Sequence, residues 1–191
     1  MSRSRSRGVT FVELVVVLAI MGVVIAIALP AFSTLMANQR IRTTAESLRS
    51  GIQLARMEAL KRGRGTTFNM SALNSSWIVG CEIPVADDND GDGLPDCPVQ
   101  IQDSTGVVEG GTSAITITVD AGGGVITFSP LGLVRQLNQD GTVPFTQIDV
   151  TVPNVSSTGL RPLRVLLRAG GLSRVCDPSV TVAGDTRACT P

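Results

Sequence analysis

Between Val9 and Leu29 the chain is apolar at nearly every position, VTFVELVVVLAIMGVVIAIAL, and its single charge is Glu13. A helix of this composition has no polar face, so it needs lipid or other helices on all sides. At ~1.5 Å per residue the run reaches about 30 Å, enough for a bilayer core. From Ala31 the rhythm changes. Ile41, Ala45, Leu48, Ile52, Ala55 and Ala59 recur at alternating gaps of four and three, which makes one apolar stripe on a helix. Arg40, Arg42, Glu46, Arg49, Gln53 and Arg56 fall largely off it. Gly63 supplies a stop, and Lys61 and Arg62 stand in the last turn, where the helix dipole favours cations. The pattern predicts one helix from about Val9 to Arg62, bent at Pro30 and roughly 80 Å long at 1.5 Å per residue. Its first half asks for lipid or helices around it and its second half for a sheet.

Beyond Gly63 the pattern shortens to β-rich runs: Thr66–Met70, Trp77–Ile83, Val99–Gln102, Ala114–Val119, Val125–Phe128, Gln147–Val152, Leu163–Leu167 and Ser173–Cys176. Turn signals at Gly122-Gly123-Gly124, Asp140-Gly141 and Gly170-Gly171 separate them. Alternation is clear in Ile115-Thr-Ile-Thr-Val119, the pattern of a half-buried strand. The expected class is α+β, a long N-terminal helix packed on antiparallel β-sheets.

Composition removes more than it adds. Sixteen basic residues balance sixteen acidic ones in 191, so bulk charge points to no partner. Histidine and tyrosine are absent, which takes away the commonest general base and metal ligand. No Ser/His or Cys/His nucleophile pair can be assembled, and no phosphate-cradling Gly-rich loop followed by Lys-Ser/Thr is present. The expectation is therefore not an enzyme. Cys81, Cys97, Cys176 and Cys189 are even in number, as expected of disulfides in an oxidising compartment. Three connectivities exist; the two local pairs, Cys81–Cys97 and Cys176–Cys189, each close a turn-rich loop and are the expected ones. A zinc site is the rival, and it lacks both histidine and a Cys-x-x-Cys pair.

The first eight residues, MSRSRSRG, carry three arginines and no acid, a basic leader ahead of the apolar run. Those arginines would hold the leader on the cytoplasmic side. Glu13 does not suit an ordinary anchor, because a carboxylate in lipid is costly unless something pairs with it. A free amino terminus at Val9, created by a cut after Gly8, would be a suitable partner. An ordinary secretory signal cut after Ala28, or an uncut single-span anchor, leaves Glu13 without a role. Gly8-Val-Thr-Phe-Val-Glu13 resembles the processing site of type IV prepilins and type II secretion pseudopilins. The resemblance implies a membrane prepilin peptidase that cuts after Gly8 and N-methylates Val9, where the family usually has Phe. It also implies an assembly role for Glu13 against the N-terminus of a neighbouring subunit.

The segment Ala55-Arg-Met-Glu-Ala-Leu-Lys-Arg-Gly63, the run Trp77-Ile-Val with an acidic loop downstream, and Ile126-Thr-Phe-Ser-Pro-Leu-Gly132 are similar to the GspH/FimT group of minor pilins and pseudopilins. Arg174-Val-Cys-Asp-Pro178 followed by Cys189 is similar to its pilus-associated side. The implied organisation is a leader over 1–8, a transmembrane and assembly half-helix over 9–30, an amphipathic half over 31–63 and a β-rich head over 64–191. The implied function is a minor type IV pilin at or near the filament tip, with a type II secretion pseudopilin and a DNA-binding minor pilin for transformation as alternatives. The implied setting is the bacterial inner membrane with a periplasmic head, then the pilus at the cell surface. The implied partners are other pilin subunits and the peptidase.

Two further sites follow from local composition. Asp88, Asp90 and Asp92 stand at positions 1, 3 and 5 of a Ca²⁺-loop spacing, the Leu94 carbonyl at 7 and Asp96 at 9. Position 12 is Val99, so the bidentate Glu is missing, and a solvated acidic turn held by a disulfide reads equally well. A bound Ca²⁺ here would be structural. The second is the basic C-terminal stretch of Arg161, Arg164, Arg168, Arg174 and Arg187, set against Asp177 and Asp185, with Arg164, Arg168 and Arg174 as the candidate DNA contacts. Some members of the resembled group bind DNA through Gly-Arg-x-Arg in this region; here it reads Gly171-Leu-Ser-Arg174, so only the second arginine matches. Phosphate binding needs several cations close together, and aromatic residues for base stacking are absent nearby. Solvent-facing arginines are the favoured reading.

Overall fold

The computed structural model describes residues 10–70, 75–88, 91, 96–104, 115–153, 159–168, 170–182 and 184–189, with side chains 28–31 left aside. Helix α1 runs Phe11–Arg62. Thr10 caps it, its Oγ1 accepting the Glu13 N–H at 3.3 Å, and Gly63 ends it at φ 61°, a left-handed backbone that glycine adopts without strain. Every stripe residue anticipated from the spacing, Ile41 to Ala59, is fully buried.

Among the described residues eight strands follow: β1 (Thr66–Met70), β2 (Trp77–Cys81), β3 (Gln102–Asp103), β4 (Thr116–Val119), β5 (Val125–Phe128), β6 (Gln147–Thr151), β7 (Leu163–Leu167) and β8 (Ser173–Cys176). They form two four-stranded sheets, ordered β3-β2-β1-β5 and β4-β6-β7-β8, with every pairing antiparallel. The α+β class is the one the sequence implied. Four strands keep the expected bounds. β6 ends at Thr151, one residue short of the expected Val152, and β4 runs Thr116–Val119, with Ala114, the expected start of its run, outside the described residues. β2 stops at Cys81, because β1 starts at Thr66 and only the Gly65 carbonyl remains for the Glu82 N–H, at 2.9 Å. The Val99–Gln102 run stays beside β2, but it bulges. A Cβ on Gly80 would lie 1.8 Å from the Val99 carbonyl oxygen, so that glycine makes room for the bulge, and pairing shifts to Gln102–Asp103.

The stripe of α1 packs across both sheets. Phe68, Trp77 and Phe145 join it, with Phe68 5.9 Å from the Trp77 ring and 6.3 Å from the Phe145 ring. Burial of this apolar face supplies the main stabilisation, at roughly 25 cal/mol per Å² removed from water. Polar links fix the register of helix on sheet: Thr66 Oγ1 donates to the Ala55 carbonyl at 2.5 Å and Trp77 Nε1 to Ser47 Oγ at 3.1 Å. The layout leaves the N-terminal half of α1 outside the head.

Candidate assembly site

Every described side chain from Phe11 to Ile27 is exposed. This apolar rod has no cover within its own chain, and transferring it from water to an apolar surrounding is strongly favourable. Glu13 lies in its first turn, where a carboxylate complements the positive end of the helix dipole. Gly8 and Val9, the expected cleavage and methylation positions, lie outside the described residues. The helix turns by 41° between Phe11–Ile27 and Phe32–Arg62. Pro30 falls between the two and has no N–H to give the ladder. Neither part alone is long and apolar enough to cross a bilayer; the two together have the length and composition of a bent span.

Where the rod meets the head, Asn38 clamps α1 to the segment that leads into β7. Its Nδ2 donates to the Gly159 carbonyl and its Oδ1 accepts the Arg161 N–H, both at 2.9 Å. A groove of about 1070 Å³ opens beside this clamp, lined among others by Leu35, Arg42, Arg161, Asp177 and Arg187. Its charges are mixed. Arg42 pairs with Glu46 at 2.9 Å and Arg187 with Asp185 at 2.8 Å. The hydrogen bond from Arg187 holds the Asp185 carboxyl down at about 2.

The four cysteines form the two local pairs, Cys81–Cys97 and Cys176–Cys189. The first closes the acidic loop. Within it the Asp96 N–H donates to the Asp87 carbonyl at 2.8 Å, and the Gly91 N–H to Asp88 Oδ1 at 2.8 Å. Arg62 holds the loop to the end of α1, donating to the Asp96 carbonyl at 2.5 Å while paired with Glu58 at 2.7 Å. Asp90, Asp92 and Leu94 lie outside the described residues. Among the described residues no three His, Cys, Asp or Glu side chains converge on a metal position.

The three arginines singled out for DNA fall at Arg164 on β7, Arg174 on β8 and Arg168 in the turn between these strands. Two are engaged. Arg164 makes a bidentate pair with Asp149 on β6, at 2.6 and 3.0 Å, and the hydrogen bond to that carboxylate raises the Arg164 pKa. Arg174 donates to the Ala188 carbonyl, tying down the disulfide-closed tail. A guanidinium spent on a neighbour has less to offer a phosphate, and Arg168 stands apart as an exposed side chain.

Residues 44–171 match the family model of the type II transport protein GspH. The chain belongs to the GspH family. Residues 3–29 match the prokaryotic N-terminal methylation motif. This GspH-family chain is therefore type IV pilin-like, a minor pilin or pseudopilin. Among solved structures it is similar to the type IV minor pilin FimU of Pseudomonas aeruginosa (strain PAO1), with 13% identity over 75% of this chain and 96% of that chain and a TM-score of 0.49. No curated protein matches it.

Sequence reasoning missed several parts of this GspH-family head. Glu82 is buried and pairs with Arg135 at 2.9 Å, with Gly65 leaving room for the carboxylate: a Cβ there would lie 2.0 Å from Glu82 Oε2. Asp120 gathers the Thr146 and Gln147 N–H groups at 2.9 and 3.1 Å, joining the end of β4 to β6. The Asn38 clamp was equally hidden, because its partners lie more than a hundred positions away. No local signal marks such pairs.

Proposed function

We propose that the chain is a minor subunit of a type IV pilus, cut after Gly8 by a prepilin peptidase and N-methylated on Val9. The exposed apolar half of α1 with Glu13 in its first turn carries this reading, since such a rod needs lipid before assembly and other helices after it. In this account the bilayer holds the rod, the head stands in the periplasm, and assembly moves the subunit to the filament at or near its tip. The role is structural, not enzymatic. Intact-mass and N-terminal analysis of the chain from membranes and from sheared filaments tests it. A mature chain beginning at a methylated Val9 and present in filaments is the expected result. An uncut chain, or one beginning at Leu29, would sink it.

A second reading is favoured by the name of the matched family: the equivalent pseudopilin of a type II secretion system. It predicts that deleting the chain blocks protein secretion and leaves pili unchanged, the reverse of the pilus reading. DNA uptake ranks below both because Arg164 and Arg174 are engaged. It would require salt-dependent duplex binding that weakens in Arg168→Ala. A structural Ca²⁺ held by Asp88, Asp90, Asp92, the Leu94 carbonyl and Asp96 also belongs to the proposal. Its test is thermal unfolding with calcium and with a chelator; an unchanged Tm removes the ion.

A further inference from the structure

The groove beside the Asn38 clamp lies where the head comes down to the rod. Its inner wall is one stripe of α1, in which Thr34, Asn38, Arg42 and Glu46 recur every four residues, about 18 Å of helix at 1.5 Å per residue. Its outer wall is the start of β7 and the end of β8, with Leu163 and Val175 half-buried on it. The lower end is apolar and open. Leu35 lines the groove and is 63% exposed, and Phe32, one turn below, is 61% exposed. Ile27, where the exposed rod ends, is two helical turns below Thr34. Depth decides what reaches this opening. With the apolar run to Leu29 spanning the bilayer core, Asn38 stands about 13 Å further along the helix at 1.5 Å per residue. The 41° turn reduces this to about 10 Å of height above the core, of which the headgroup layer occupies roughly 5–7 Å. Leu35 is therefore level with the headgroups. Arg161, whose N–H donates to Asn38 at 2.9 Å, is exposed just above them, and its long side chain can extend down to that layer.

The charges of the groove fit a particular kind of headgroup. Arg42 is paired with Glu46 and Arg187 with Asp185, whereas among the described residues the Arg161 guanidinium has no ion-pair partner. The planar fork of a guanidinium matches a phosphate and binds it through two parallel N–H bonds. Asp177 lines the same wall. The Arg164–Cys176 pairing, continued by one residue, sets Asp177 beside Leu163, one strand and two positions from Arg161. An unpaired cation with a carboxylate near it suits a group that carries both signs better than an anion alone. We propose that the groove holds the headgroup of a zwitterionic phospholipid of the periplasmic leaflet. Its phosphodiester sits on Arg161, its ammonium points to Asp177, and its upper acyl carbons lie along Leu35 and Phe32. The proposal rests on the reading in which the bilayer holds the rod. The lipid is bound while the subunit is in the membrane and is given up when the subunit enters a filament.

The test uses the full chain in vesicles of phosphatidylethanolamine and phosphatidylglycerol. A trace of photoreactive phosphatidylethanolamine, with its reactive group beside the phosphate, is expected to give adducts on the peptides that hold Leu35, Arg161 and Asp177. The same group on phosphatidylglycerol should label these peptides several-fold less, a comparison that needs no variant. Arg161→Gln is expected to lower the yield about tenfold, the loss of a charge-assisted contact. Its melting temperature should stay unchanged, because the bond to Asn38 is made by the main chain. Arg168→Gln, in the β7–β8 turn, should label like the unsubstituted chain. Adducts confined to Phe11–Ile27, equal labelling by the two lipids, or an undiminished yield in a folded Arg161→Gln chain would overturn the lipid site and leave the membrane reading standing. A chain that stays off the vesicles altogether would refute the membrane reading, and the lipid site with it.

Discussion

Gly51 faces the sheet from the middle of the buried half of α1, and a Cβ there would lie 2.7 Å from ring atoms of both Phe68 and Trp77. Alanine would favour the helix by ~1 kcal/mol over glycine. Overpacking two buried rings costs about 1–3 kcal/mol, so Gly51→Ala should lower the denaturant midpoint. A raised midpoint would show that the ring pair can yield. Asp120 shows the same balance in its charge. Burial pushes its carboxyl up, but the hydrogen bonds from Thr146 and Gln147 outweigh this and bring it below the ordinary value. A carboxylate with a depressed folded pKa contributes stability that is full above the unfolded value of roughly 3.9 and is lost as pH falls through the folded one. Asp185, held at about 2 by Arg187, acts in the same direction. Stability should therefore fall on acidification below about pH 4, and Asp120→Asn should flatten that fall while weakening the protein at pH 7. An unchanged pH profile in the variant would refute the role given to Asp120.

At the scale of elements, α1 is two helices in one. From Ile41 to Ala59 its stability comes from packing, since the stripe is wholly buried against the sheets. Leu48→Ala should cost about 2–5 kcal/mol, while Ser50→Ala on the exposed side of the same turns should stay within about 0.5 kcal/mol. Paired urea titrations would check the contrast, and equal effects would mean that the stripe is not what holds the helix. The strands were legible for the same reason. Thr66–Met70, Val125–Phe128, Leu163–Leu167 and Ser173–Cys176 alternate or run apolar between turn residues, and they form where expected. The Val99–Gln102 run did not, because its pairing depends on room over Gly80, a distant residue that its own pattern does not report.

At the scale of the whole molecule, the head is a closed unit braced at two places by short disulfide loops, with sequence separations of 16 and 13. Each bridge constrains the unfolded chain, and loops of this size contribute about 3 kcal/mol in the chain-entropy account. Replacing Cys176 and Cys189 together by serine should lower Tm and free the tail that Arg174 grips, seen as faster amide exchange over 177–189. Protection equal to that of the oxidised chain would show that the Arg174 bond alone suffices. The rod, by contrast, is not stabilised by the head, and its state depends on what surrounds it.

The sequence by itself determined what depends on neighbours along the chain. The stop of the helix at Gly63, its change from all-round to one-sided apolarity, the four strands that form where expected and the Glu13 motif are all fixed by periodicity and local chemistry. Only the tertiary structure decided how the strands divide into β3-β2-β1-β5 and β4-β6-β7-β8, because pairing partners such as β1 and β5 are chosen by shape and burial across long loops. It also decided that Arg164 and Arg174 are engaged and that Met57, Leu131 and Leu172 are exposed. An arginine's availability and a leucine's exposure depend on which distant residues fold against it, and a linear pattern carries no record of them.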